Sequence, residues 1–276
     1  MSSAEPTDSA YYRPLRITYG YEHFAPATAT ESVWTDTIQH GGPPSALLMR
    51  ALESVDHAPG LSISRVTIDI LGAIGLSENR TRAITIRPGR QISQIRAELD
   101  VFGPDGRYRT AARATAWLLA TSDTAELAGE SISPPTPDEG GGGGELPDWT
   151  STGWAGSGFI SSVDFERSDP QADRPGLTWL RPRIDIVEGE TASPLSRFCC
   201  VVDIANGLGS ALSPREWTWM NTDTTIHLHR APAGDWFGVD AELTAGASGF
   251  GYTAADLFDA SGPVGRSSQT VLLNRL

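Results

Sequence analysis

Two stretches of the chain carry apolar side chains around most of a helical circumference. One begins at Pro43 and Pro44 with the sequence PPSALLMRALESV, and the other is SPLSRFCCVVDIANGLGSAL at residues 193–212. Proline fits the first turn of a helix, where the amide hydrogens have no intrahelical acceptor. Because a helix that is apolar nearly all round must be covered on all sides, the pattern predicts one buried helix in each half of the chain.

Runs rich in β-branched and aromatic residues accompany each helix and predict strands. In the first half these runs are 62–71, 82–87, 91–101 and 108–119. In the second half they are 159–165, 177–187, 218–229, 236–243, 249–258 and 268–273. Glycine-containing turns at 103–106 and 259–262 join the last two runs of each half and indicate hairpins.

A segment rich in glycine and proline separates the two halves. Residues 122–150 include Pro134, Pro135, Pro137 and five consecutive glycines at 140–144. This composition cannot supply a core and is typical of a flexible linker. We therefore predict an N-terminal domain at 12–121, a linker at 122–150 and a C-terminal domain at 151–276.

The two halves also match each other. Residues 66–71 (VTIDIL) parallel 224–229 (TTIHLH), and 100–102 (DVF) parallel 256–258 (DLF), at offsets of 158 and 156 residues. Two matches in the same order predict a duplicated β-α-β-β-β-β unit. A strongly curved antiparallel sheet can bury one helix on nearly every side, which is the hotdog arrangement. We expect an α+β double hotdog, in which two such units join edge to edge.

Composition excludes several kinds of chemistry. All 21 basic residues are arginine, and 34 carboxylates bring the formal net charge to −13. Without lysine the chain can form no Schiff base and no Walker-type phosphate loop. An acidic surface repels phosphate backbones, so we expect no nucleic-acid partner.

The chain shows no sign of export or of membrane insertion. Its two cysteines, Cys199 and Cys200, are adjacent, and neighbouring cysteines rarely bridge each other. No apolar run follows Met1, and none approaches the ~18 residues of a membrane span. We therefore expect a cytoplasmic protein with no membrane association.

Motifs in both halves resemble the TesB-like (type II) acyl-CoA thioesterase family, above all its actinobacterial thioesterase-like branch. His40-Gly41-Gly42 opens the first helix, with Trp34 just upstream. In the second half the motifs are DIANG at 203–207, NTDTTIHLHR at 221–230 and GRSSQ at 265–269. The resemblance covers residues 12–120 and 155–276, and it rests on the order and spacing of the motifs rather than on any one of them.

The resemblance implies an acyl-CoA thioesterase of lipid metabolism that uses an activated water, with no covalent intermediate, cofactor or metal. In the family an aspartate, a threonine and a glutamine hold that water. Carried over, these roles fall on Asp203, Asn221 and Gln269. The chain departs from the family pattern at Asn221, which occupies the threonine position. An amide can still hydrogen-bond a water, although the rate of hydrolysis then comes into question.

Four further residues are implied as substrate-binding. The amide hydrogens of Gly41 and Gly42 at the helix start would hold the thioester oxygen as negative charge develops on it. His40 would contact the substrate or only fix the start of the helix. Thr222 completes the set, although on a regular strand its side chain would point away from that of Asn221.

Each catalytic candidate also has a structural explanation. A charge at Asp203, after an apolar run, is unfavourable unless it is paired or functional, and Arg197 or Arg230 could pair with it. Gln269 could be an ordinary strand residue, and Asn221 could start a turn.

Other polar residues offer weaker alternatives. His227 and His229 share a strand face at a spacing that suits a metal, but a third ligand is missing, which favours a structural pair. Cys199 and Cys200 lie in an apolar helix and indicate core packing. Arginine must bind the phosphates of CoA, and the candidates are Arg65, Arg80 and Arg82.

Two further functions stay open at this stage. Hydration of an enoyl thioester would use a histidine and an acid, and His40 has no carboxylate beside it in the sequence. The substitution at Asn221 also leaves room for a weak or inactive acyl-thioester-binding protein. The expected partner is an acyl-CoA substrate, and a homo-oligomer such as a dimer is left open.

Overall fold

The computed structural model describes residues 8–129, 137, 156, 158–168 and 177–276. The N-terminal half contains β1 (Ala10–Thr18), β2 (Tyr21–Pro26), α1 (Gly42–Glu53), β3 (Leu61–Ile70), β4 (Asn79–Arg87), β5 (Ile92–Phe102) and β6 (Tyr108–Ala120). The C-terminal half contains β7 (Val163–Arg167), β8 (Thr178–Pro182), β9 (Asp185–Val187), α2 (Pro194–Val202), α3 (Ala205–Leu208), β10 (Trp217–Asn221), β11 (Asp223–Leu228), β12 (Phe237–Ala245), β13 (Phe250–Asp259) and β14 (Gly262–Arg275).

All of these strands belong to one continuous sheet. Its order is β7-β8-β12-β13-β14-β11-β3-β6-β5-β4-β2-β1-β9, and β10 pairs with β14 beside this path. Outward from the contact between β3 and β11, both halves have the same order. The series β3-β6-β5-β4-β2-β1 corresponds to β11-β14-β13-β12-β8-β7. The fold is a double hotdog, and the predicted fold class is confirmed.

The two halves meet across a local two-fold axis. Strands β3 and β11 pair antiparallel with Thr67 opposite Thr225, and the two hydroxyl oxygens lie 3.2 Å apart. These two threonines are also equivalent positions of the sequence repeat, at the offset of 158 residues. Equivalent residues face each other only at a two-fold axis, so the pairing joins one open edge of each half to the other.

The helices form the centre of the core. Helix α1 packs against α2 and against β4, β5 and β6, and Leu47, Leu48, Met49 and Leu52 are fully buried. Burial on every side explains why the helix sequence is apolar all round. The packing also brings the start of α1 to the end of α2, where the candidate site lies.

A serine fixes the start of α2. Ser193 precedes Pro194, and its hydroxyl oxygen accepts a hydrogen bond of 2.9 Å from the amide of Ser196. The same hydroxyl donates to Oε2 of Glu53 at 2.6 Å, which links the start of α2 to the end of α1.

We expect Ser193→Ala to lower the free energy of unfolding by about 1–2 kcal/mol, because it removes a helix N-cap. Urea denaturation of the purified variant measures this loss. Ser213→Ala is the matched control, since Ser213 is exposed and its hydroxyl accepts a long bond of 3.4 Å from the amide of Arg215. A loss at Ser193 no larger than that of the control contradicts the prediction.

Several elements differ from the sequence-based prediction. Strands β1 and β2 were not predicted, since β1 buries three consecutive residues, Ala10 to Tyr12, and then exposes the next ones, which hides the two-residue period. The run 177–187 is two strands, and the second of them, β9, crosses to pair parallel with β1 of the other half. The run 159–165 begins as a 3-10 turn, Ile160–Ser162.

Two interruptions matter for the site. The second predicted helix ends at Val202 rather than continuing to 212, and the run 218–229 breaks between Asn221 and Asp223. Most of the predicted linker at 122–150 lies outside the described residues, so the domain boundaries stay a proposal. Within the described part of the chain, no helix is long and apolar enough to cross a membrane.

Candidate active site

A largely apolar cavity of about 350 Å³ lies where the two halves meet. Its apolar walls come from the segment before α1, the loop after β3, the segment after α2 and strand β10. They consist of Val33, Trp34, Ile38, Ile70, Ala73, Ile74, Ile160, Ile204, Trp219 and Met220. The polar side chains on the wall include His40, Asp203, Asn206 and Asn221. A few polar groups in an otherwise apolar pocket are typical of a ligand site.

Asp203 is buried at the end of α2, with 2 % of its surface exposed. Its Oδ1 accepts a hydrogen bond of 2.8 Å from Nδ2 of Asn221, and its Oδ2 lies 3.1 Å from Nδ1 of His40. Neither arginine that the sequence offered as a structural partner pairs with Asp203, because Arg197 pairs with Asp235 and Arg230 pairs with Asp259. Among the described residues the carboxylate therefore has no arginine partner, and it faces the cavity.

Residues 221–224 interrupt the strand and change which side chains point inward. Thr222 donates its amide to the carbonyl of Thr270, and β11 resumes at Asp223. Asn221 and Thr224 are three residues apart and would face opposite sides of a regular strand. The irregularity instead brings both side chains to the same place, where Asn221 Nδ2 lies 3.4 Å from Thr224 Oγ1.

Gln269 on β14 completes this polar cluster. Its Nε2 donates to Thr224 Oγ1 at 2.9 Å and to the backbone carbonyl of Asp203 at 3.2 Å. Since a carbonyl oxygen can only accept, these bonds fix the orientation of the amide group. Its Oε1 is buried and has no hydrogen-bond partner in the described part of the chain. Buried acceptors are normally satisfied, so this atom is an acceptor that a small polar ligand could use.

The start of α1 meets the carboxylate from the other half. A Cβ placed on Gly41 would lie 2.7 and 2.8 Å from the two carboxylate oxygens of Asp203, so any larger residue here would displace the carboxylate. The amide of Gly41 makes no hydrogen bond within the described residues. The positive end of the α1 dipole also stabilises the negative charge of Asp203.

Gly42 does not fit its predicted role. Its amide donates to Nδ1 of His40 at 3.2 Å and is therefore already occupied. A Cβ on Gly42 would lie 2.5 Å from the carbonyl oxygen of Cys200 and 2.6 Å from the ring of Phe159. Gly42 is thus required for the close packing of α1 on α2, and of the two predicted amides only that of Gly41 is left without a partner among the described residues.

The corresponding place in the N-terminal half is apolar. Thr224 and Gln269 occupy the positions that Val66 and Ala116 occupy in the other half, since Val66 pairs with Ala116 next to the two-fold axis. Both Val66 and Ala116 are fully buried. The polar cluster therefore occurs in the C-terminal half, and the equivalent position in the N-terminal half is part of the hydrophobic core.

The remaining predicted residues lie elsewhere. Thr222 is exposed, and its hydroxyl contacts Asp223 and the carbonyl of Thr270 rather than the cavity. His227 and His229 are exposed on the outer face, and His229 bonds to the carbonyl of Pro263. In the described part of the chain no group of three or more His, Cys, Asp or Glu side chains is placed to hold a metal.

The cysteines and the predicted CoA arginines also lie away from the cavity wall. Burial raises the pKa of the Cys199 and Cys200 thiols, so neither supplies a thiolate nucleophile. Arg80 bonds to Asp100 and packs between the rings of Tyr21 and Tyr108, and neither Arg65 nor Arg82 lines the cavity.

Three residues near the site were not singled out from the sequence. Thr224 provides the buried hydroxyl of the cluster, and Asn206 donates to Oδ1 of Asn221 at 3.4 Å. Arg109 reaches the rim, where it donates to the carbonyl of Ala73 at 2.7 Å. The repeat contained a signal for Thr224, because it matches the apolar Val66 in the other copy.

Family models for acyl-CoA thioesterases match both halves of the chain. The N-terminal domain of that family matches residues 30–119, and its C-terminal domain matches residues 134–273. The chain therefore belongs to the acyl-CoA thioesterase family, as the sequence motifs indicated, and it is an enzyme of the thioester hydrolase class. No curated protein sequence matches the chain significantly.

Solved structures with the same fold cover nearly the whole chain. Acyl-CoA thioesterase II TesB2 from Mycobacterium marinum superposes with a TM-score of 0.63 at 14% identity, covering 95% of this chain and 96% of its own. A hot dog fold protein of unknown function from Alicyclobacillus acidocaldarius gives 0.66 at 13%, covering 94% and 95%. The dehydratase domain from the CurK module of curacin polyketide synthase gives 0.57 at 9%, covering 97% and 98%.

Proposed function

We propose that this enzyme hydrolyses acyl-CoA by a water molecule that Asp203 activates. The supporting observation is a buried carboxylate on the wall of an apolar cavity, fixed by Asn221 on one oxygen and exposed to the cavity beside Gly41. Among the described residues this buried charge has no arginine partner, and such a charge is unfavourable for stability alone, which favours a functional role.

Each residue of the cluster has a defined part in this proposal. Asp203 accepts a proton from the water as the water oxygen attacks the thioester carbon. The amide of Gly41 donates to the carbonyl oxygen as that oxygen becomes negatively charged. Asn221 orients the carboxylate, Oε1 of Gln269 accepts from the water, and Thr224 supplies the hydroxyl that the family pattern requires. Asn221 then acts beside a threonine rather than in place of one.

The apolar walls and the volume of the cavity indicate which acyl groups it can hold. Its apolar walls suit a hydrocarbon chain, and a volume of about 350 Å³ holds roughly a dozen non-hydrogen atoms at about 30 Å³ each. We therefore propose acyl groups of short to medium length as the preferred substrates. The aromatic rings of Trp34 and Trp219, 5.8 Å apart, form one part of the wall.

Hydrolysis of a panel of acyl-CoA thioesters, followed by release of free CoA, tests the activity. We expect turnover to be highest for chains of up to about ten carbons, given a cavity of that size. A single turnover in H₂¹⁸O then tests the chemistry, because direct attack by water places one ¹⁸O in the carboxylate product. Transfer of unlabelled oxygen from the protein would instead indicate a covalent anhydride with Asp203.

One observation favours a second candidate, the addition of water to an enoyl thioester. From the sequence, His40 had no carboxylate nearby, but folding brings Asp203 to 3.1 Å from its ring. A histidine and an acid next to each other on a cavity wall can add a hydroxyl and a proton across a double bond. Crotonyl-CoA distinguishes the reactions, since hydration gives 3-hydroxybutyryl-CoA without free CoA.

The sequence also left open a weak or inactive acyl-thioester-binding protein. Tight acyl-CoA binding by calorimetry, without CoA release over hours, is the result that would contradict both reactions.

We also propose a cytoplasmic location. It is supported by the two cysteines, which are free and buried.

A further inference from the structure

His40 connects the N-terminal half of the site to Asp203. Its ring packs on Phe159 at a centroid distance of 4.7 Å, and its backbone amide donates to the carbonyl of Thr30. These contacts hold the imidazole on the cavity wall, with 14 % of the side chain exposed. The ring is therefore fixed against the carboxylate and can still exchange protons with solvent.

The hydrogen bonds at Nδ1 indicate which nitrogen carries the proton. The amide hydrogen of Gly42 points at Nδ1 from 3.2 Å, so Nδ1 offers a lone pair. In a neutral imidazole the proton then lies on Nε2, at the other side of the ring. Oδ2 of Asp203 lies 3.1 Å from the same nitrogen, so once that oxygen carries a proton it can donate to this lone pair in place of the Gly42 amide.

Proton transfer in the cavity depends on the ionisable side chains of its wall. Of the described residues that line it, only His40 and Asp203 have ionisable side chains. Hydrolysis of a thioester needs two proton transfers, one from the attacking water and one to the departing sulfur. Asp203 accepts the first of these protons, and the Nε2–H of His40 is a second proton donor on the same wall.

We propose that His40 delivers the proton to the leaving thiolate of CoA, a role that rests on the proposed thioester hydrolysis. Asp203 takes a proton from water as the new C–O bond forms. When the C–S bond breaks, its electron pair goes to sulfur, and sulfur takes the proton from Nε2 of His40. At the same time Nδ1 receives the proton that Asp203 took from water. The products are a carboxylic acid and CoA, and exchange with solvent returns the ring to its starting tautomer.

The leaving group provides the test. An aryl thiolate leaves without help because its thiol is far more acidic than an alkyl thiol, whereas the alkyl thiolate of CoA benefits from a proton donor. We compare an acyl-CoA with the S-(4-nitrophenyl) thioester of the same acyl group, using kcat/KM. The variants are His40→Asn, whose Oδ1 can still accept from Gly42, and His40→Gln, should the first fail to fold. His57→Asn, an exposed histidine after α1, is the matched control.

The expected result is a selective loss. His40→Asn should lose about 30-fold on the acyl-CoA and less than about 3-fold on the aryl thioester. The first value lies below the usual range for acid catalysis because a thiolate is already a fair leaving group. Equal losses on both substrates, or no loss on either, would overturn the role of His40. Asp203→Asn separates the proposals, because retained activity in that variant contradicts the hydrolysis mechanism whatever His40 does.

Discussion

Replacing Asp203 by asparagine is expected to lower kcat for acyl-CoA hydrolysis about 1000-fold or more, the scale of a lost general base. Asparagine keeps the shape of the side chain, and its Oδ1 can still accept from Asn221, so the fold should survive. The buried negative charge that takes the proton from water is lost. Release of free CoA measures the rate, and a melting temperature within a few degrees of wild type shows that the site and not the fold was changed.

Asp223→Asn is the matched control for this experiment. Asp223 lies in the same region of the chain, but its Oδ1 accepts from Thr222 and from the amide of Thr270 outside the cavity. We expect nearly wild-type turnover. If Asp203→Asn retains the same rate as Asp223→Asn, Asp203 is not the residue that activates the water.

The variant Gly41→Ala, which adds one methyl group, should lower kcat about 100-fold with little loss of stability. The new Cβ would overlap both carboxylate oxygens of Asp203, at 2.7 and 2.8 Å, and the carboxylate must turn away. Gly41 has φ −65° and ψ −22°, so alanine adopts its backbone conformation without strain. Displacement of a catalytic group by about 1 Å is enough for an effect of this size.

The neighbouring glycine should respond in the opposite way. In Gly42→Ala the new Cβ meets the backbone carbonyl of Cys200 at 2.5 Å, which cannot rotate away. We expect α1 and α2 to separate and the free energy of unfolding to fall by about 3 kcal/mol, as for other overpacked cores. Gly75→Ala, whose Cβ would make only ordinary contacts of 3.6 and 3.9 Å, serves as the control.

Urea denaturation and CoA release together separate these three variants. Gly41→Ala should combine wild-type stability with low kcat, and Gly42→Ala should combine low stability with whatever activity its folded fraction retains. If Gly41→Ala hydrolyses acyl-CoA like Gly75→Ala, the close contact between α1 and Asp203 does not matter for catalysis.

The elements with a regular hydrophobic period could be predicted from the sequence. Helix α1 and strands β3, β5 and β6 lie within one or two residues of their predicted bounds, because their burial follows a single period. Strand β1 was not predicted because it buries consecutive residues, Ala10 to Tyr12, at the edge where β9 pairs with it. Its burial depends on a strand from the other half of the chain.

The candidate site was predicted only in part for the same reason. Asp203, Asn221 and Gln269 were selected by resemblance, and folding brings all three into one hydrogen-bonded cluster. Thr224 was missed because the irregularity at Thr222 turns its side chain to the side of Asn221. No local propensity reveals such a break, since it arises from the pairing of β10 and β11 with β14.

The sequence by itself determined the duplicated double hotdog, the buried helices, the acidic and lysine-free composition, and the family. Those properties depend on local periodicity, on internal repetition and on motifs in order along the chain. Only the tertiary structure decided that Gly41 and His40 of one half meet Asp203 of the other, and that Gly42 serves packing instead of substrate. These contacts join residues more than 150 positions apart, and they exist only because α1 begins where α2 ends.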